Sequence, residues 1–374
     1  MNVLDELRKV ADNPYGYARR LKGEGRAVIG YFCSYTPEEI IFAAGAHPMR
    51  LFGTHGEISR ADAHLQAYCC SVVRGALEEA LSGELDFLDG AVFPHTCDSI
   101  QRLSDIWRLT TRFKFFADVV LPVKLTTESS RMYMVEVLER FARELESGLG
   151  AGITGEKYLD SIRTFNKLRA GMADLYRLRS ARPGIVSGSD FLAVVKAAMS
   201  MERRACADMV TRLAGELGKK GLSSDAGGRK RIMLAGGVCD HPDIYRLIEE
   251  SGGVVVWDDL CTGTRAFEGM IREDGNPLEA IAERYMTRLA CPAKHRSLTE
   301  RGERLVRDAK EHKVGGVIFL LLKFCDPHDF DYPYLKESLD REGIPSILVE
   351  LEHQLPPEGQ LRTRFETFMH TIHK

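Results

Sequence analysis

Gly90-Ala91-Val92-Phe93-Pro94-His95-Thr96-Cys97-Asp98 is an apolar strand that runs straight into a cysteine and an aspartate. The same design returns near the other end as Gly316-Val317-Ile318-Phe319, then Leu320 to Phe324, then Cys325-Asp326. Uninterrupted apolar runs of this kind, the longest being Val314 to Leu322, read as strands of a parallel sheet covered on both faces. In such open α/β sheets, ligands sit just beyond the carboxyl ends of the strands. Each copy therefore sets a thiol where a sheet of this type does its chemistry.

The flanking segments repeat as well. Upstream of the first copy, Arg26 to Phe32 is a strand that ends in Cys33. Thr36-Pro37-Glu38-Glu39 then reads as a helix start, with Thr36 as N-cap, Pro37 at N1 and Glu39 closing a capping box. Gly45 is a left-handed helix end, Met49 to Phe52 a second strand, and Cys69-Cys70 precede a helix through Glu79. Upstream of the second copy, Arg231 to Gly236 is a strand followed by Cys239-Asp240-His241-Pro242 and a helix that Gly252 ends. Val254 to Trp257 is the next strand, and Cys291-Pro292 precede a helix from Leu298 to Lys310. Both halves thus run strand–Cys, helix, strand, Cys–helix, strand–Cys, which aligns Cys33 with Cys239, Cys70 with Cys291 and Cys97 with Cys325. The second half carries an insertion around Gly263 to Ile281.

Between the halves the apolar period changes to 3.6. Met132 to Leu149, Tyr158 to Leu178 and Phe191 to Leu217 read as long amphipathic helices, followed by a polar, Gly-rich connector from Lys219 to Gly228. The fold class is therefore α/β: two Rossmann- or flavodoxin-like parallel-sheet domains in a pseudo-repeat, joined by a long helical block. The boundaries are 1–25 for an N-terminal helical segment broken at Asn13-Pro14, 26–125 for the first α/β domain, 126–228 for the helical block and 229–374 for the second α/β domain with a C-terminal helix.

A chain of 374 residues is long for a single core, in keeping with two domains. Its net charge of −3 gives no footprint for nucleic acid or an anionic membrane. No apolar run approaches the roughly 18 residues of a spanning helix, and Met1 to Leu7 lacks the apolar core of a signal peptide. A cytoplasmic location is expected. Nine cysteines, an odd number, argue against a disulfide framework and leave core packing, catalysis or metal binding.

Cys206, in mid-helix, reads as core, because free thiols are among the most buried side chains. The six paired thiols fall at strand carboxyl ends or helix N-termini, where the helix dipole favours a thiolate. Soft ligands far apart in sequence suit an iron–sulfur centre better than the local Cys-x-x-Cys knuckles of structural zinc. Iron–sulfur, zinc and plain core packing all remain open on the pattern alone.

Several motifs together narrow this. Cys33 to Ile41 with Ala43-Ala44-Gly45, Cys70 to Arg74, His95-Thr96-Cys97-Asp98, Asp258 to Arg265, Lys323 to Pro327 and Leu361-Arg362-Thr363-Arg364 resemble the 2-hydroxyacyl-CoA dehydratase and benzoyl-CoA reductase subunit family over nearly the whole chain. The resemblance implies an iron–sulfur cluster held by three cysteines, which map onto Cys70, Cys97 and Cys325. It also implies electrons from a separate ATP-hydrolysing reductase with its own cluster. The extra thiols Cys33, Cys239 and Cys291 resemble a less familiar branch, the double-cubane cluster proteins. Those are homodimers in which two [4Fe-4S] units share a bridging sulfide as an [8Fe-9S] centre. Cys261 rivals the members of the second set, and Cys69 those of the first. The implied function is an iron–sulfur reductase acting on a small substrate. The alternative is a 2-hydroxyacyl-CoA dehydratase or benzoyl-CoA reductase-type subunit with one [4Fe-4S] cluster acting on a CoA thioester; a third class is an electron carrier or scaffold.

His95 beside Cys97 is a candidate general acid, and Glu38 in the first turn after Cys33 a candidate for the same cleft. Asp98 and Asp326 read as caps of the following helices, and His241 as a third candidate proton donor that fits better as a cap or an outer partner of the site. Gly148 to Lys157 imitates a phosphate loop. It has Glu156 directly after Gly155 and follows a helix, so it reads as a helix–helix loop with Thr154 as N-cap.

Overall fold

The computed structural model describes residues 2–219, 228–297, 299–352 and 354–372. Within them the chain forms two four-stranded parallel sheets of identical topology. The first contains β1 (Val28–Tyr31), β2 (His47–Arg50), β3 (Gly90–Phe93) and β4 (Phe115–Asp118) in the order β2-β1-β3-β4. The second contains β5 (Lys230–Gly236), β6 (Gly253–Asp259), β7 (Gly316–Leu322) and β8 (Ser346–Leu351) in the order β6-β5-β7-β8. The two-domain α/β architecture and its repeat, expected from the sequence, are both present. The strands β4 and β8 had no counterpart in the sequence reading; each is an outer strand that pairs with one neighbour, β3 and β7 respectively.

Helices connect the strands in register with that repeat. They are α1 (Val3–Asp12), α2 (Pro14–Gly23), α3 (Glu38–Ala43), α4 (Ser71–Leu81) and α5 (Asp98–Thr110) in the first half. The linking block is α6 (Glu128–Leu149), α7 (Gly155–Ala181), α8 (Gly188–Ser200) and α9 (Arg203–Lys219). The second half adds α10 (Pro242–Glu250), α11 (Thr264–Phe267), α12 (Pro277–Thr287), α13 (Glu300–Glu311), α14 (Asp326–Arg341) and α15 (Glu358–Thr371). No described helix is long and apolar enough to cross a membrane. Much of the expected polar connector, residues 220–227, lies outside the described residues.

Local chemistry explains the helix ends. Asn13 caps α2 by accepting from Gly16 N at 2.9 Å, and Thr154 caps α7 through Lys157 N at 3.3 Å. Gly45 and Gly252 have φ of +87°, so both halves stop the helix after their first strand on a left-handed glycine. The capping box at Thr36 does not form. The N-cap is Pro37, Thr36 Oγ1 is buried without a partner, and Glu39 pairs with Arg169 inside the protein. Burial with a guanidinium outcompetes the backbone for that carboxylate. The single helix expected from Phe191 to Leu217 is broken at Met201-Glu202. Glu202 accepts from Ala205 N at 2.9 Å, capping α9. Arg203 reaches back to Met201 O at 2.6 Å and Met199 O at 3.1 Å, satisfying carbonyls that the end of α8 leaves open.

One apolar core runs without interruption from the first half (Phe32, Phe93, Trp107) to the second sheet (Ile232, Leu234, Leu320). Trp107 is fully buried, edge-on to Phe32 and Phe93 with centroids 5.6 and 5.5 Å away. A second core in the helical block includes α1, whose Val3, Leu7 and Val10 pack with Phe191, Val195 and Val210 around Cys206. The two sheets are thereby welded together, and the loops at their carboxyl ends meet.

Candidate metal centre

Six thiols converge where those loops meet. Cys33 follows β1, Cys261 follows β6, and Cys291 follows α12. Cys70, Cys97 and Cys325 occupy the N-cap positions of α4, α5 and α14, and none of these caps carries a side-chain hydrogen bond. Their sulfurs face the positive ends of three helices, the placement that favours a thiolate. Asp98 and Asp326, expected as caps, are the first helical residues instead.

The thiols influence one another in two groups. Cys97 lies within electrostatic reach of Cys70, and Cys325 of both Cys70 and Cys97. Cys291 donates a hydrogen bond to Cys261 and feels Cys33. The groups come within electrostatic reach of each other twice, through Cys33 with Cys97 and through Cys261 with Cys325. Burial pushes the Cys70 thiol up to about 11 and Cys97 to about 12, and it raises Cys325 as well. The hydrogen bond from Cys291, helped by Arg265, holds Cys261 well below the ordinary thiol range.

Cys239 does not join them. It is fully buried, and the charges acting most on it are Asp240, Asp258 and Lys196, with no thiol among them. Two features turn it inward. Gly236 adopts φ +138° with its α-carbon so close to β7 that a Cβ would lie 2.0 Å from Leu320 O. Thr262 Oγ1 then takes both backbone groups of Cys239, accepting from its N at 2.9 Å and donating to its O at 2.8 Å. Cys69 is buried in the main core beside Cys70.

The Asp258–Arg265 stretch builds the second half of the centre. Asp258 Oδ1 accepts from Thr264 N at 2.8 Å and Oδ2 from the Tyr176 hydroxyl at 2.7 Å, which pins the loop. Asp259 lies 3.0 Å from Arg265 Nε and 3.1 Å from Arg301 Nη2. Arg265 is 2% exposed, and its Nη1 has no hydrogen-bond partner although Cys261 and Cys291 are within its electrostatic reach. His328, 4% exposed, places Nε2 3.9 Å from Cys261 Sγ.

The donor set fits a multi-iron cluster better than a single ion. Four thiolates around one zinc lie about 3.8 Å apart, given Zn–S bonds of about 2.3 Å. Among the described residues no three of these sulfurs come within 4.8 Å of one another. A cubane spreads its thiolates over several irons. Arg265 Nη1, buried without a hydrogen-bond partner and near Cys261 and Cys291, would suit the sulfurs of an anionic cluster there.

Around the thiols, His95 Nε2 lies 2.9 Å from Asp118 Oδ1, and Asp118 also accepts from Ser104 and Arg108, both at 2.5 Å. The imidazole is thus oriented from behind by a fixed carboxylate. Glu38 is engaged elsewhere, 2.5 Å from the buried Arg203 guanidinium. A cavity of about 440 Å³ opens beside Cys97, with Lys294, Arg301, Asp326 and Phe330 in its wall. Lys294 is 4% exposed, donates to Leu121 O at 2.9 Å and feels Cys33 and Cys291.

The family model of the 2-hydroxyglutaryl-CoA dehydratase D-component matches residues 33–372. The chain belongs to that family. It is 30% identical to the (R)-phenyllactyl-CoA dehydratase beta subunit of Clostridium sporogenes over 98% of both chains. It is 26% identical to the lactoyl-CoA dehydratase subunit beta of Anaerotignum propionicum over 99% of this chain and 98% of that one. Identity to one of the subunits of the benzoyl-CoA reductase of Thauera aromatica is 28% over 93% of this chain and 91% of that one. The resemblance seen in the motifs is borne out, and so is membership in a family of enzyme subunits.

In this dehydratase-family chain, sequence reasoning left Arg265, His328, Lys294 and Arg301 without a role at the site. Arg265 closes the Asp258–Arg265 motif, so the motif itself was the available signal. The other three are single residues whose convergence depends on tertiary contacts. Cys261 was legible only as a rival, although it stands between strand and helix as Cys97 and Cys325 do.

Proposed function

We propose that this chain is an iron–sulfur oxidoreductase that holds a double cubane. Cys70, Cys97 and Cys325 would hold one half, and Cys33, Cys261 and Cys291 the other. The observation that supports this reading is the convergence of six thiols at the carboxyl ends of the two sheets, in two sets of three that lie within electrostatic reach of each other through Cys33/Cys97 and Cys261/Cys325. Cys261 takes the place first expected for Cys239, because Cys239 faces the core. When bound, the cluster would supply low-potential electrons to a small substrate.

The protein's own groups do the rest. Arg265 balances the negative charge on the second set, and His328 steadies Cys261. His95, oriented by Asp118, holds the proton that reduction consumes. Lys294 and Arg301 line the cavity together with Asp98, Asp326 and Asp331, giving the substrate end a wall of both charges. The electron donor would be a separate ATP-hydrolysing reductase. The phosphate-loop imitation at Gly148 to Lys157 is the joint between α6 and α7, with Gly150 at φ +65° and Thr154 as a helix cap. A homodimer is the proposed assembly, the commonest symmetric one.

The names of the relatives favour a second reading: a 2-hydroxyacyl-CoA dehydratase-type lyase subunit with one cubane acting on a CoA thioester. Iron and sulfide analysis after anaerobic purification separates the two, at about eight irons per chain for the double cubane against about four. Tight calorimetric binding of a CoA thioester with four irons moves the assignment to the lyase. Near-zero iron after anaerobic reconstitution overturns both.

A further inference from the structure

A second cluster of metal-ligating side chains lies away from the thiols, at the seam between the two halves. The loop after β2 carries His55 onto the N-terminus of α10, where Asp240 and His241 follow β5. His55 Nε2 is 2.8 Å from Asp240 Oδ2, and the two imidazole centroids are 4.2 Å apart. One ligand atom from each of the three residues lies within 4.8 Å of the other two. Among the described residues no other trio of histidine, cysteine, aspartate or glutamate meets that condition.

The burial and charge of this trio suit an ion. Asp240 is 6% exposed, so an ion here would meet a carboxylate largely shielded from water. The His55 side chain is 44% exposed, which leaves a path from solvent and room for water or a further ligand. Glu79, bonded by the Tyr15 hydroxyl at 2.7 Å, lies within electrostatic reach of His55 and Asp240. Burial raises the Glu79 carboxyl to about 7, so Asp240 is the standing anion here, and it faces one ammonium, Lys196, whose Nζ sits 5.5 Å over the Phe52 ring. Two imidazoles and a carboxylate with open positions are a donor set for zinc-like transition ions, not for calcium or magnesium. Ligand atoms around a tetrahedral ion of that size sit about 3.3 Å apart. The 2.8 Å His55–Asp240 contact therefore needs to open by only a few tenths of an ångström to admit one.

We propose that His55, Asp240 and His241 bind one divalent transition-metal ion, zinc or a close analogue, and so clamp the β2 loop of the first half to α10 of the second. The site is independent of the thiol centre, since the neighbouring Cys239 points into the core.

The test uses the cluster-loaded protein, washed with EDTA and titrated with zinc in a calorimeter. The native chain binds one zinc with an accompanying rise in Tm. His55→Gln and His241→Gln each weaken that binding at least ~10-fold and abolish the Tm rise, while iron content stays at the native value. Cobalt in the same site gives weak d–d bands without a sulfur-to-cobalt charge-transfer band. No zinc binding by the native protein, equal affinity in both variants, or a thiolate charge-transfer band with cobalt each overturns the proposal. The exposed His55 position keeps the test sound if His241→Gln fails to fold.

Discussion

Replacing Cys261 and replacing Cys239 should have opposite consequences, although both follow adjacent strands of one sheet. Cys261 receives a hydrogen bond from Cys291, lies 3.9 Å from His328 Nε2 and reaches Cys325. It is one of three thiolates proposed for the second cubane. Cys261→Ser should therefore lower iron from about eight to about four per chain, one cubane's worth. Cys239 has no exposed surface and packs in the continuous apolar core beside Tyr245 and Ile244. Cys239→Ala should keep its iron and cost about 1–3 kcal/mol of stability through the small cavity left behind. For a chain of this length that means a Tm lower by a few degrees. Iron and acid-labile sulfide are measured on anaerobically purified variants, with calorimetric melting of the same samples. Full iron in Cys261→Ser, or half iron in Cys239→Ala, refutes the assignment of thiols to sets.

Three further outcomes follow from the same geometry. His95→Gln should lower reductase-driven turnover by about 10²–10⁴-fold at unchanged iron, whereas turnover within about twofold of native takes His95 out of the proton path. Glu39 is 0% exposed between Arg169 and Arg284, which hold its carboxyl below the ordinary range against the opposing effect of burial. Glu39→Gln strands a buried guanidinium and should cost about 3–5 kcal/mol in denaturant unfolding; a loss under about 1 kcal/mol contradicts it. The Glu39 contribution is present above the unfolded carboxyl value near 4.5 and fades as pH falls through the lower folded value. His47 behaves differently. Burial lowers it to about 3 while Nε2 lies 2.9 Å from Ser200 O, so the unfolded chain takes up a proton that the folded chain refuses. Stability should fall between pH 6.5 and 3 by up to ~1.4 kcal/mol per unit; an unchanged acid limb in His47→Gln would show that other groups set it.

The repeat of apolar strands ending in cysteines was enough to specify two parallel sheets and a helical block, because strand and helix periods are local properties of a chain. Glycine helix ends at Gly45 and Gly252 were legible for the same reason: φ near +87° excludes most other residues. The outer strands β4 and β8 were not. Phe115–Asp118 is four residues long and is defined by its pairing with β3, a partner distant in sequence. Which cysteines meet was likewise undecided by pattern. Cys239 and Cys261 both stand at strand carboxyl ends, and their sulfurs part ways only because the Gly236 turn passes against Leu320 and Thr262 clamps the backbone of Cys239. The direction of a side chain beyond a strand end is set by the loop that receives it, and that loop takes its shape from contacts with the neighbouring strand. The meeting of His55 with Asp240 and His241 has the same origin, since it exists only where the two halves are packed together.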